Sequence, residues 1–251
     1  MNTQVFDSKP ALGAAAAEQA AGILLEAIRE RARARVIIAT GPSQNEVVDA
    51  LVARNGLDWS RIEVFHMDEY VGIAATHPAS FRRWLRTRVV ETVRPAAVHY
   101  LAGDAPDVAA ECSRYAALLN AAPIDLCFIG FGENGHIAFN DPHTADFADP
   151  LAVKRVTLDE ACRRQQVGEG HFPSLAAVPA EAITLTCSAL MAAKALICCV
   201  PDRRKAAAVK RALEGAISPE CPASLVRTHA RASLYLDTQS ASLVAAAVGR
   251  A

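Results

Sequence analysis

The sequence predicts an α/β fold, with a mostly parallel sheet covered by helices on both faces and a small lid segment. Three observations carry this reading. Short apolar runs that read as buried strands alternate with longer helical segments along the whole chain. Two of those runs, Ile62 to Phe65 and Ile124 to Ile129, pass straight into polar loops that hold acids, glycines or a histidine. Open α/β sheets present ligand-binding groups at that edge. Finally, 251 residues, 52% of them hydrophobic, suit one domain spanning 1–251 and are too few for two comfortable ones.

The elements follow in order. An alanine-rich stretch from about Pro10 to Arg33 is a strong helix by propensity. Val36 to Ala39 is a short buried strand that opens into Thr40-Gly-Pro-Ser-Gln-Asn45, and a helix follows from Glu46 to Arg54. Such a strand–loop–helix unit leaves backbone N–H groups and the helix dipole facing an anion. The loop is neither Gly-x-Gly-x-x-Gly nor a nucleotide P-loop, so it points to a small phosphate rather than a dinucleotide. Ser43 or Asn45 can equally serve only as a helix cap. The strand from Ile62 runs into Met67-Asp-Glu-Tyr70, and His77-Pro-Ala-Ser-Phe81 opens another helix. Asp107 to Asn120 is helical and feeds the strand from Ile124. Val153 to Leu158 reads as a strand. Cys162 to Pro173 then shows no clear periodicity and contains Gly168 and Gly170, which suggests a lid over about 160–180. Ile183 to Ala193 reads as helix, Ala195 to Val200 as strand, Asp202 to Glu214 as helix capped by Gly215, and Ala232 to Leu236 as the last strand. No repeat or interdomain linker is visible.

Two loops carry the chemistry. After Ile129 come Gly130, Gly132 and Gly135, then His136, Asn140 and Asp141 within one short stretch. Glycines allow positive φ and close ligand approach, and histidine suits proton transfer near neutrality. A lone Gly-x-His is more often a tight turn with a surface histidine, but the upstream loop places Asp68 and Glu69 at a second strand end. Burying a carboxylate without a partner is costly, so one of these acids either performs chemistry or caps the helix that follows Pro78. Together Asp68 and His136 form a minimal kit for moving a proton on a carbon beside a carbonyl.

Composition narrows the field. A formal net charge of −1 gives no basic footprint and argues against nucleic acid as the partner. Seven cysteines without a Cys-x-x-Cys pair read as buried reduced thiols of a cytoplasmic protein, not as disulfides or a metal site. The N-terminus resembles neither a signal peptide nor a presequence. No stretch approaches the ~20 uninterrupted apolar residues that span a bilayer, so no membrane association is expected.

Taken together, Thr40-Gly-Pro-Ser43, Met67-Asp-Glu-Tyr-Val-Gly72, His77-Pro-x-Ser80, Gly132-x-x-Gly-His-Ile-Ala-Phe-Asn-x-Pro142, Ala182-Ile-Thr-Leu-Thr186, Lys205 and Glu214-Gly215 resemble the glucosamine-6-phosphate deaminase (isomerase) family. The resemblance covers nearly the whole chain and implies a Rossmann-like fold. It also implies conversion of D-glucosamine 6-phosphate and water into D-fructose 6-phosphate and ammonia, with no cofactor or metal. By the same resemblance Asp68 is the base acting between C2 and C1, and His136 opens the sugar ring. Thr40, Gly41 and Ser43 form the phosphate loop, and Lys205 pairs with the phosphate.

Two departures stand beside His136. Asn134 replaces an aspartate that in the family orients the imidazole, and Asp141 replaces a glutamate. An asparagine keeps the hydrogen bond but not the charge, which disfavours the imidazolium. The family's second phosphate-binding arginine has no clear counterpart; Arg163 and Arg164 are the candidates. Alternatives on the same scaffold are a 6-phosphogluconolactonase-like hydrolase and a non-catalytic sugar-phosphate-binding domain. Family members occur as allosteric hexamers and as smaller units. A chain extending well ahead of the first strand, with a short alanine-rich tail at 238–251, leans away from the allosteric arrangement while leaving a homo-oligomer open.

Overall fold

The computed structural model describes residues 1–245; part of the C-terminal tail considered above, 246–251, lies outside them. Seven parallel strands form the main sheet. They are β1 (Asn2–Phe6), β2 (Ala34–Ile38), β3 (Ile62–His66), β5 (Ala97–His99), β6 (Leu126–Ile129), β9 (Leu196–Val200) and β10 (Ala232–Asp237), in the order β1-β10-β9-β6-β2-β3-β5. A second sheet of three antiparallel strands, β4 (Asp68–Tyr70), β8 (Glu181–Leu185) and β7 (Val153–Thr157), adjoins it. The α/β class and the mostly parallel sheet are as the sequence predicts; the small antiparallel sheet is an addition to it.

The central strands β2, β6 and β9 are buried at every residue, which is why they read as unbroken apolar runs. Helix α1 (Lys9–Arg31) is capped by the Ser8 side chain, which accepts from Ala11 N–H. It is long and apolar enough by composition to cross a bilayer. Here its stripe of Leu12, Ala16, Ala20 and Leu24 is buried in the core that the strands share. Beside it packs α2 (Asn45–Val52). Helix α3 (Phe81–Leu85) runs through a wide turn at Arg86–Val90 into α4 (Glu91–Val93). Helix α5 (Val108–Asn120) is fastened from Tyr115, whose hydroxyl donates to the carbonyls of His66 and His99. The remaining helices are α6 (Glu160–Gly168), α7 (Cys187–Met191) and α8 (Ala206–Glu214).

Three expectations are corrected. The residues ahead of the strand at Val36 are not an extension from the sheet, because they include a strand of their own, β1, which pairs with β10 along Asn2–Ser233 to Phe6–Asp237. That removes one of the two arguments about assembly. Ile183 to Leu185, read as the start of a helix, belongs to β8. β-Branched Ile183 and Thr184 fit a strand paired on both sides, and Thr186 then caps the short α7 by accepting from Ala189 N–H. The stretch without periodicity contains α6, capped by Asp159. It forms the connection between β7 and β8, whose ends meet where Leu158 N–H donates to the Ala180 carbonyl at 2.9 Å.

Candidate active site

From β2 the chain proceeds to β3 and β5 on one side, and from β6 to β9 and β10 on the other. Strand order therefore reverses between β2 and β6, the place where open α/β sheets gather their ligands. Loops leaving β2, β3, β6 and β9 converge there on one cleft with about 60 Å³ of free space. Thr40, Gly41, Ser43, Asp68, His136 and Lys205 all line it.

The β2 loop turns through Gly41 at φ 99° and a 3-10 turn at Pro42–Gln44 before α2 begins, a φ that glycine alone adopts without strain. Gln44 is buried and ties the loop to β9 by donating to the Cys199 carbonyl at 3.2 Å. The Thr40 hydroxyl oxygen is buried and has no partner among the described residues. Lys205 is 4% exposed and enters from the turn after β9. Asp202 starts that turn at φ 90°, a strained conformation. Its N–H donates to the Asp237 carboxylate and its own carboxylate takes a bond from Lys9 at 2.8 Å.

The two neighbouring acids have different surroundings. Glu69 is fully buried and accepts from Tyr70 N–H, the Ser80 hydroxyl, Phe81 N–H and Arg82 N–H at 2.7–3.2 Å. It caps α3, the role that the sequence left open for one of the pair. Burial raises its carboxyl, while these four donors work in the opposite direction. Asp68 has no side-chain hydrogen bond among the described residues and faces the cleft. Burial, with the neighbouring Glu69 charge, pushes its carboxyl up to about 8.

His136 sits against Gly132, where an added Cβ would come within 2.2 Å of the imidazole. Its Nδ1 lies 3.0 Å from Asp141 Oδ1, a close charge contact rather than a well-aligned hydrogen bond. Asp141 is fully buried. Burial works against its charge, but the His136 contact and the donors Asn134 and Asp159 N–H outweigh burial and leave the carboxyl lowered. Asn134 does not touch the ring. Its carbonyl accepts from the His136 backbone N–H at 2.9 Å, and its amide donates to Asp141 at 2.9 Å and to Asp159 at 3.1 Å. The negative charge beside the imidazole is therefore present in Asp141, and Asn134 positions the pair from behind.

The other side of the cleft belongs to α6 and the residues after it, Gln165, Gln166, Glu169 and His171. The sequence reading placed this segment over the site but named none of the four. Gln166 accepts from the Tyr70 hydroxyl at 2.6 Å, and Phe172 packs edge-on against Tyr70. Neither candidate for a second cation lines the cleft. Arg163 donates to the carbonyls of Leu175 and Val178 within its own segment, and Arg164 pairs with Glu160. His136, Asp141 and Cys162 bring three possible metal-ligand atoms within 4.8 Å of one another. Burial, with Asp141 and Asp159 nearby, raises the Cys162 thiol well above its ordinary value, and a protonated thiol is a poor ligand. All seven cysteines are free.

Comparison with known proteins gives a consistent picture. The family described as glucosamine-6-phosphate isomerases/6-phosphogluconolactonase matches residues 7–235. A glucosamine-6-phosphate deaminase of Pseudarthrobacter chlorophenolicus is 36% identical over 228 residues, covering 89% of this chain and 86% of that protein. The structure of a monomeric glucosamine-6-phosphate deaminase superposes with a TM-score of 0.89 at 28% identity, over 97% of this chain and 100% of its own. A 6-phosphogluconolactonase from Trypanosoma brucei shares the fold at a TM-score of 0.77 and 17% identity, over 97% and 98% of the two chains. On this evidence the chain belongs to the glucosamine-6-phosphate isomerase/6-phosphogluconolactonase family.

Proposed function

We propose that the protein catalyses isomerising deamination of an amino-sugar phosphate, D-glucosamine 6-phosphate and water giving D-fructose 6-phosphate and ammonia. The observation that carries this reading is the convergence of an unpaired buried carboxyl, a histidine backed by a carboxylate and a lysine beside a glycine-containing loop on one cleft. The phosphate lies between Lys205 and the Thr40–Ser43 loop, where backbone N–H groups and one cation meet it. His136 transfers a proton at the ring oxygen to open the pyranose, and Asp141 stabilises its charged form. Asp68 then takes the C2 proton of the open-chain sugar and returns it at C1, which leaves an imine at C2 that water hydrolyses to the ketone, releasing ammonia. The segment about 160–180 acts as a lid, since the free space beneath it holds only a few waters. Seven free thiols suit the reducing cytoplasm, where we place the protein.

A coupled assay for ammonia and fructose 6-phosphate over a panel of amino-sugar phosphates tests the reading. Stoichiometric release of both from glucosamine 6-phosphate is expected. Hydrolysis of 6-phosphogluconolactone alone makes the protein a lactonase, and phosphate binding without turnover makes it a sensor.

A further inference from the structure

Lys205, the cation at the phosphate end of the cleft, is already paired. Its Nζ lies 3.3 Å from Oε1 of Glu169, the residue that ends α6, and both side chains are almost fully buried. Glu169 Oε1 also accepts from Gln165 Nε2 at 2.9 Å, and Oε2 lies 3.6 Å from His171 Nε2. We propose that Glu169 is an internal competitor for the substrate's phosphate, occupying the anion position on Lys205 until a phosphate ester displaces it. This rests on the reading of the cleft as a sugar-phosphate site.

The physical case has three parts. A buried ammonium without a counter-ion is costly, so the resting protein has to supply an anion. Two anions cannot share one ammonium in a water-poor cleft without repelling each other, and neither lid arginine reaches the site to neutralise the second. An arriving phosphate dianion therefore expels the carboxylate. Glu169 lies between Gly168 and Gly170, the latter at φ 79°, and glycines absorb backbone rotation at little cost. Expulsion of the side chain thus swings the end of α6 and makes room for the sugar. An unphosphorylated amino sugar carries nothing that can make this exchange, so Glu169 sets selectivity for the phosphate ester.

The test compares wild type with Glu169→Gln, which keeps the shape and the hydrogen bonds and removes the charge. Calorimetric titration with inorganic phosphate is expected to show several-fold tighter binding by Glu169→Gln. KM for glucosamine 6-phosphate is expected to fall in parallel. Equal or weaker phosphate binding by the variant overturns the proposal and makes Glu169 a substrate contact or a purely structural partner of Lys205. If thermal melting shows Glu169→Gln to be unfolded, Glu169→Ala is titrated with phosphate under the same criterion. If wild type does not deaminate glucosamine 6-phosphate, the functional reading fails, while the phosphate titration still decides the role of Glu169.

Discussion

Asp68 and Glu69 are adjacent acids in one short strand, yet four hydrogen-bond donors hold Glu69 and none among the described residues holds Asp68. On the proposed mechanism this division separates scaffold from chemistry. Asp68→Asn is expected to lower kcat on the order of 10²–10⁴, as loss of a general base does, while leaving substrate binding near normal. Glu69→Gln is expected to act through the start of α3 and lower the melting temperature. Near-normal turnover of Asp68→Asn on glucosamine 6-phosphate removes Asp68 from the mechanism.

The raised Asp68 carboxyl makes activity and stability oppose each other in pH. In the proposed mechanism Asp68 acts as a base only when ionised, so kcat/KM is expected to climb as pH rises through about 8. Between the ordinary carboxyl value of 3.8 and about 8 the folded chain keeps a proton that the unfolded chain has released. Stability contributed by this group therefore falls as pH rises across that window. Asp68→Asn is expected to melt higher than wild type at about pH 9 and at the same temperature at about pH 4, as judged by melting curves. A constant difference at both pH values rejects the assignment.

Lys205→Ala is expected to raise KM for the phosphorylated sugar more than it changes kcat, because the phosphate is remote from the reacting carbons. A charge-assisted contact of this type is worth about 1.5–3 kcal/mol, or roughly 10- to 150-fold. Steady-state kinetics with an unchanged KM and a collapsed kcat would make Lys205 a participant in the chemistry.

Asn134→Asp is expected to slow the enzyme. Its amide now donates to Asp141 and to Asp159, and a carboxylate there turns both bonds into like-charge contacts. A pH–rate profile of both forms checks this, and an unchanged profile means that Asn134 does not support the His136–Asp141 pair.

Gly132→Ala places a methyl against the His136 ring, 2.2 Å from its nearest atom. The ring has to move, and the loss is expected mainly in kcat, since the groups proposed to hold the phosphate lie on other loops. Retention of wild-type kcat shows that the ring position is not critical.

The residues facing the cleft from the main sheet were legible in the sequence because each follows a strand whose apolar run announces it. Asp68 after β3, His136 after β6 and the Thr40 loop after β2 are three instances of one rule. Lys205 follows β9, but only the family resemblance singled it out, since in Arg203-Arg204-Lys205 nothing local marks which cation turns inward. Glu169 was missed for a related reason: its partner is 36 residues away, and the segment around it has no periodicity to fix a face. Strand β1 leaves no signal in the sequence because an edge strand with a mixed burial pattern needs no apolar run. Strand β8 reads as the start of a helix in the sequence because short apolar runs carry no period that distinguishes the two. The neighbouring Asp141 compensated for Asn134, a relationship fixed by the fold of the loop and not by spacing.

The hydrogen bond from Leu158 to Ala180 closes the base of the segment that lines one side of the cleft, so both ends of that segment leave the small sheet side by side. A loop with adjoining ends is a cassette. Its length enters the free energy of folding only logarithmically, about 0.6 kcal/mol for each doubling, and its residues can be exchanged while the strands below keep their register. Lys205, the Thr40 loop and His136 belong to the frame, whereas Glu169 belongs to the cassette. On the proposed roles, selection can therefore retune which phosphates are admitted by rewriting some twenty residues, without touching the groups assigned to the chemistry.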